Sequence, residues 1–164
     1  MLVPKQEKLS YRLKSEDQTL SLGRSLAEVF SHFQQYPAMF FNGPLGSGKT
    51  TIIRGIVQAL PGGGDAQVSS PSFNIMNIYP TRPEAVHFDL YRLEGAKLDP
   101  ESEEIIMDEG RLVLVEWSAY LSRDLWPENI ILVDLSLMNE GRRADLTVRG
   151  PHIQGLLDNL KHRF

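Results

Sequence analysis

The chain contains no cysteine in its 164 residues, which excludes disulfides and any cysteine-ligated zinc site. A metal would have to sit on oxygen or imidazole, and a reducing compartment fits the composition. Long apolar runs are also missing. No stretch approaches the ~20 residues that span a bilayer, and the opening MLVPKQEKLSYRLK lacks the continuous apolar segment of a secretory leader. The expectation is a cytoplasmic protein with no membrane partner. Clustered positive charge is a third absence: 17 basic residues against 21 acidic ones leave a formal charge of −4, and the basic residues are scattered along the chain. Affinity for nucleic acid comes mostly from phosphate neutralisation, so no strong direct binding to nucleic acid is expected. With 41% hydrophobic side chains, the chain suffices for one buried core, and residues 1–164 read as a single domain.

Leu9, Tyr11 and Leu13 alternate with polar residues as in a half-buried strand. The polar run Ser15-Glu16-Asp17-Gln18-Thr19 reads as the cap of a helix carrying Leu22, Leu26, Val29, Phe30 and Phe33 on one face and ending before Pro37. Residues 38–41 are all apolar, which suits a strand buried on both faces of a parallel sheet. A Gly-rich loop follows, and then a helix with an apolar stripe of Ile52, Ile53, Ile56, Val57 and Leu60, stopped by Pro61 and three glycines. Further strands are expected at 73–79, 85–90, 112–116, 130–137 and 144–149. A helix start is expected at Asp99-Pro100-Glu101, and a last amphipathic helix at 153–162. Strands mixed with helices after a strand–loop–helix opening give a three-layer α/β domain with a mostly parallel central sheet.

Gly43-Pro44-Leu45-Gly46-Ser47-Gly48-Lys49-Thr50 fits G-x-x-x-x-G-K-[ST], the P-loop pattern, with a strand before it and a helix after it. By composition alone such a match arises in about 1% of chains of this length or fewer, and the flanking elements reduce that further. Glycines let the backbone curl its N–H groups around a polyphosphate at a helix N-terminus. In this pattern Lys49 reaches the terminal phosphates and the Thr50 hydroxyl goes to Mg²⁺.

Such a site also needs a carboxylate at the end of a neighbouring strand. Asp89 ends one expected strand and Glu116 another, and either could hold the metal or orient the attacking water. His87 shares a strand face with Asp89 and reads as a structural partner. The guanine-specific N-K-x-D tetrapeptide is absent, which favours adenine. A small-molecule kinase would need a basic lid, and Arg123, Arg142 and Arg143 are few and dispersed.

The runs GPLGSGKTT (43–51), SPSF (70–73), HFDLYRL (87–93) and VEW (115–117), in this order and spacing, resemble the bacterial tRNA threonylcarbamoyladenosine biosynthesis family TsaE over residues 15–143. The resemblance implies a small P-loop NTPase fold. It further implies a Mg²⁺-dependent ATPase that joins TsaB-type and TsaD-type partners making N6-threonylcarbamoyladenosine on ANN-decoding tRNAs, and that meets tRNA only through the complex. On the family's pattern, Gly43 and the run Gly46, Ser47, Gly48, Lys49, Thr50 and Thr51 grip the phosphates. Thr50 and Glu116 hold Mg²⁺, with Asp89 as the Walker-B-like acid. Lys49, Asp89 and Glu116 thus form the catalytic set, with Asp89 also counted toward the metal. SPSF and HFDLYR are the switch-like segments. Glu16, Thr19 and Arg142 match positions that line base and sugar, and Trp117 matches a family tryptophan beside the nucleotide.

Three departures stand out. Ser72 replaces the family's threonine but keeps the hydroxyl, Pro44 stands where an acid is common, and Ser118-Ala119 replaces a frequent Pro-Glu after the tryptophan. The alternatives to an accessory ATPase are a small-molecule kinase and a nucleotide-sensing module without turnover.

Overall fold

The computed structural model describes residues 6–71 and 73–161. In chain order the elements are β1 (Lys8–Leu13), α1 (Glu16–Phe33), β2 (Ala38–Asn42), α2 (Lys49–Ala59), β3 (Met76–Tyr79), β4 (Ala85–Asp89), α3 (Pro100–Ile106), β5 (Leu112–Glu116), β6 (Ile130–Leu137) and β7 (Arg142–Arg149). The strands form a seven-stranded sheet in the order β1-β7-β6-β2-β5-β4-β3. Its centre, β6-β2-β5-β4, is parallel, and antiparallel strands flank it on both sides.

The apolar strands occupy the middle because both of their faces are covered. Met39 and Phe41 of β2 join the core beneath α1 and α2, while Phe40 joins the core on the opposite face with α3. At the edge, β1 keeps its alternation and buries only Leu13 fully. The expected three-layer α/β architecture is therefore the observed one.

Ser15 caps α1 by accepting from the Gln18 N–H, and Asp99 caps α3 by accepting from the Ser102 N–H, each with acid in the first turn. Helices α1 and α2 cross through facing glycines. A Cβ on Gly23 would collide with the Ile52 carbonyl and reach 2.9 Å from the Gly55 Cα. This close approach brings the start of α1 beside the start of α2, where the Gly-rich loop lies.

Three expectations need correction. Phe33 is exposed: α1 ends there, with Gln34 in the left-handed conformation. The strand expected over 73–79 begins only at Met76, and Phe73 is 95% exposed on a bend. The final helix is two short 3₁₀ turns, Pro151–Ile153 and Leu156–Leu160, because Gly155 turns left-handed between them. Their apolar side chains still bury against the α1 face, and His162 lies outside the described residues. No helix among the described residues is long and apolar enough to cross a membrane.

Candidate functional site

At the carboxyl end of β2 the chain leaves the sheet through Asn42 and wraps into α2. Gly43, Gly46 and Gly48 have φ of 149°, 75° and 108°, a backbone region that favours glycine. Gly48 is the N-cap of α2. It contributes no side-chain cap, and there is no acid in the first turn, so among the described residues the first N–H groups of the helix have neither an intrahelical acceptor nor a side-chain cap. A Cβ on Gly48 would run into the Arg142 guanidinium and lie 3.1 Å from the Thr19 methyl. Among the described residues, the Ser47 hydroxyl is buried without a hydrogen-bond partner. Within this loop, Lys49 Nζ donates to the carbonyls of Gly43 (2.6 Å) and Pro44 (3.0 Å) and lies 4.5 Å from the centre of the Trp117 ring. Burial lowers the Lys49 pKa from the ordinary lysine range, and the nearby charges of Glu116 and Asp89 oppose that shift.

The second turn of the site comes from the sheet. Strands β4 and β5 are parallel neighbours, and their last residues, Asp89 and Glu116, stand opposite one another in register. The Thr50 hydroxyl donates to Glu116 Oε1 at 2.8 Å, and the fully buried His87 ring meets the same oxygen through Nε2 at 2.8 Å. Ser70 Oγ lies 2.7 Å from the Thr50 hydroxyl. Burial raises the Asp89 pKa above the usual carboxylate range. The N–H of Tyr91, bonded to it at 3.0 Å, offsets part of that rise, and repulsion from Glu116 adds to it.

Lys49, Thr50, Ser70, Asp89 and Glu116 line one cleft of about 440 Å³, and His87 lies buried behind it. Of the residues expected from the sequence, Glu16, Gly46, Ser47, Gly48, Lys49, Thr50, Thr51, Asp89, Glu116 and Arg142 all open onto it. Two do not. Gly43 sits at the root of the loop against Leu135, and Thr19 is buried beneath Gly48 with its hydroxyl donated to the Ser15 carbonyl. Glu16 lies on the rim and is paired with Arg54 at 3.3 Å. The dispersed arginines stay dispersed: Arg143 pairs with Asp145, Arg123 stacks on Trp126, and Arg92 lines a smaller neighbouring hollow. Ser72 lies outside the described residues.

Sequence reasoning gave no individual role to Ser70, Tyr91 or Asn42. Ser70 and Tyr91 line the cleft. Asn42 Oδ1 accepts from the Ser118 hydroxyl (2.9 Å) and the Ala119 N–H (3.3 Å), which ties the loop after β5 to the residue before Gly43. The signal for Ser70 and Tyr91 was their place inside SPSF and HFDLYR, while Asn42 carried none.

The donor set fits a polyphosphate with a hard divalent cation. It combines an uncapped helix N-terminus, a lysine, an unpartnered buried hydroxyl, and the oxygens of Thr50, Asp89 and Glu116. Among the described residues, no group of three or more His, Asp or Glu side chains gathers into a metal site. A cation here would therefore take most of its shell from phosphate and water, as Mg²⁺ usually does.

Comparison with known proteins points one way. The family described as Threonylcarbamoyl adenosine biosynthesis protein TsaE matches residues 13–144. The chain is 31% identical over 148 residues to the tRNA threonylcarbamoyladenosine biosynthesis protein TsaE of Haemophilus influenzae, covering 85% of this chain and 89% of that one. With the protein of the same name from Aquifex aeolicus it is 33% identical over 132 residues, covering 80% and 89%. The crystal structure of Bacillus subtilis YdiB superposes with a TM-score of 0.71 at 21% identity, over 98% of this chain and 99% of that one, a likeness of fold.

Proposed function

The chain belongs to the TsaE family, and from that premise we propose that it is a Mg²⁺-dependent ATPase of the cytoplasm. In this reading it supports N6-threonylcarbamoyladenosine modification of ANN-decoding tRNAs as an accessory member of a multi-protein complex. One observation carries the reading: Lys49, Thr50, Asp89 and Glu116 converge on a single cleft at the carboxyl edge of the parallel strands, in a chain whose relatives are named for that modification.

The roles follow from position. The N–H groups at the start of α2 and the Lys49 ammonium would hold the phosphates. The Thr50 hydroxyl and the Glu116 carboxylate would hold the cation, and Asp89, beside Glu116, would orient the attacking water. Mg²⁺, when bound, supplies neutralisation of the charge on the phosphate oxygens. The exposed Glu16 and the Arg142 guanidinium flank the opening toward which base and sugar would extend. With a net charge of −4, the chain would reach tRNA through TsaB-type and TsaD-type partners and not by itself. The kinase alternative is disfavoured because Arg123 and Arg143 are engaged elsewhere and only Arg142 of the three lines the cleft.

The test is phosphate release from ATP without an acceptor, measured with and without the two partner proteins, together with the threonylcarbamoyladenosine content of tRNA from cells depleted of this protein. The reading expects release that rises with the partners and a modification that falls on depletion. Label transfer to a small metabolite, or unchanged tRNA, would overturn it.

A further inference from the structure

We propose that His87 is the positioning residue of Glu116, fixing that carboxylate against Thr50 and so setting the affinity of the cleft for a divalent cation. The inference rests on the Mg²⁺ reading above and deepens it.

The argument begins with the sheet. His87 lies two residues before Asp89 on β4, so it faces the α1 and α2 side and stands diagonally across from Glu116 on β5. Its ring is wholly buried, and Nε2 meets Glu116 Oε1 at 2.8 Å. Thr50 donates to the same oxygen at the same distance. Two donors on one oxygen select a single orientation of the carboxyl plane, whereas one donor would leave the group free to swing. Among the described residues both hydrogen bonds to Glu116 fall on Oε1, and Glu116 lines the cleft, so its second oxygen is the one available to a hydrated cation.

The hydrogen directions are forced as well. A carboxylate oxygen only accepts, so Nε2 carries the ring hydrogen and Thr50 spends its one hydrogen on Glu116. Ser70 must then donate to Thr50, which gives a chain from Ser70 through Thr50 to Glu116, met from the other side by His87.

The cost of this arrangement argues that it serves the site. Among the described residues, His87 Nδ1 is buried without a hydrogen-bond partner. A buried polar atom left unpaired destabilises a fold, and an apolar side chain of similar volume would avoid the penalty. Beyond a ring contact with Tyr79 at 6.4 Å, which an apolar side chain could replace by packing, what the imidazole adds is its hydrogen bond to Glu116.

The test titrates Mg²⁺ against ATP binding by calorimetry, with parallel binding in EDTA and thermal melts of the nucleotide-free protein. His87→Leu is expected to raise the Mg²⁺ concentration for half-maximal effect about tenfold or more, the usual size for loss of an outer partner of a metal ligand, with affinity in EDTA little changed. His87→Gln, whose amide nitrogen can occupy the Nε2 position, is expected to restore the requirement to within about threefold. A merely structural histidine would lower the melting temperature and the EDTA affinity without moving the Mg²⁺ requirement. If His87→Leu fails to fold, His87→Asn replaces it, since its shorter amide falls short of Glu116. A wild-type Mg²⁺ requirement in His87→Leu, or Gln and Asn variants that behave alike, overturns the proposal. A wild-type protein whose ATP binding ignores Mg²⁺ overturns the reading beneath it instead.

Discussion

Trp117 holds a left-handed backbone conformation, φ 58°, and lays its indole 4.5 Å from the Lys49 ammonium. An αL conformation in a bulky non-glycine residue persists only where its surroundings enforce it. Here the Trp117 N–H donates to the Phe41 carbonyl, and Asn42 Oδ1 takes the next two donors of the loop. The lysine is thus boxed between its own loop carbonyls and an aromatic face, with its charge kept where phosphate is expected.

Lys49→Ala should therefore weaken triphosphate binding about 10- to 100-fold, the size of a charge-assisted hydrogen bond or two. The fold should persist, since the loop backbone is set by its glycines. Calorimetry with ATP and circular dichroism check both halves. Unchanged affinity in a folded variant would refute the phosphate role of the loop.

Gly23→Ala tests how the site is carried by the fold. Alanine is the better helix former by roughly 0.5–1 kcal/mol, so an exposed position would gain from the change. At Gly23 the added Cβ meets backbone of α2, the Ile52 carbonyl and the Gly55 Cα at 2.9 Å, and neither can move without parting the helices. Overpacking of about 1–3 kcal/mol or more should win. The urea midpoint should fall, and a rise would show that the crossing is looser than the structure has it.

That glycine pair marks the limit of what the sequence discloses. The parallel centre was legible because AMFF and LVLV are apolar throughout, and the caps at Ser15 and Asp99 were legible from residue type and spacing. The P-loop was legible because few backbones need three glycines, a lysine and a threonine in that order. Gly23 carries no such local mark, since its role depends on a helix that begins 26 residues later. Gly155 ended the expected last helix for the converse reason: apolar spacing persisted while one φ of 78° broke the hydrogen-bond ladder. The joining of His87 and Thr50 on one oxygen of Glu116 depends on strand register and rotamer, which no spacing rule encodes.

Asp89→Asn should stabilise the nucleotide-free protein at neutral pH while harming catalysis. Burial raises the Asp89 pKa, with repulsion from Glu116 adding to it, so the folded state disfavours the ionised form. For a carboxyl whose folded pKa lies above the unfolded one, the penalty is absent below the unfolded value of about 4. It grows as pH rises through the window between the two values and is complete above the folded value. Asparagine carries no such penalty and can still accept from the Tyr91 N–H. Thermal melts should show the variant ahead of wild type at pH 7, with the gap closing as pH approaches the unfolded carboxyl range. A gap that is absent at pH 7, or that widens in acid, would contradict the sign.

The last prediction concerns rate. Charge on a transferring phosphoryl group is spread over the cation, the loop lysine and often an arginine, and a supplied arginine finger is worth about 10³ to 10⁵ in rate. Of the lysines and arginines, Lys49 and Arg142 line this cleft. Arg142 packs against Gly48, beside the first turn of α2. Arg92, which follows Asp89 by three residues, is exposed and faces a neighbouring hollow lined by Ser70, Phe73 and Ile75. Neither arginine is placed as a finger, so the isolated protein should turn ATP over slowly. A partner that docks over the exposed Phe73 and Tyr91 would press on the same segments that carry Ser70 and Asp89. It could swing Arg92 inward or supply a charge of its own, and either would stabilise the transition state more than the bound substrate. Single-turnover hydrolysis should therefore accelerate when TsaB-type and TsaD-type partners are added. Arg92→Ala should abolish the gain if the arginine acts in cis and leave it intact if the partner supplies the charge. Trp117→Ala should reduce the stimulated rate more than the affinity for ATP, because its ring sits against Tyr91 at 4.9 Å as well as over Lys49. A fast rate for the isolated chain, unmoved by saturating partners, would show that the cleft is already complete.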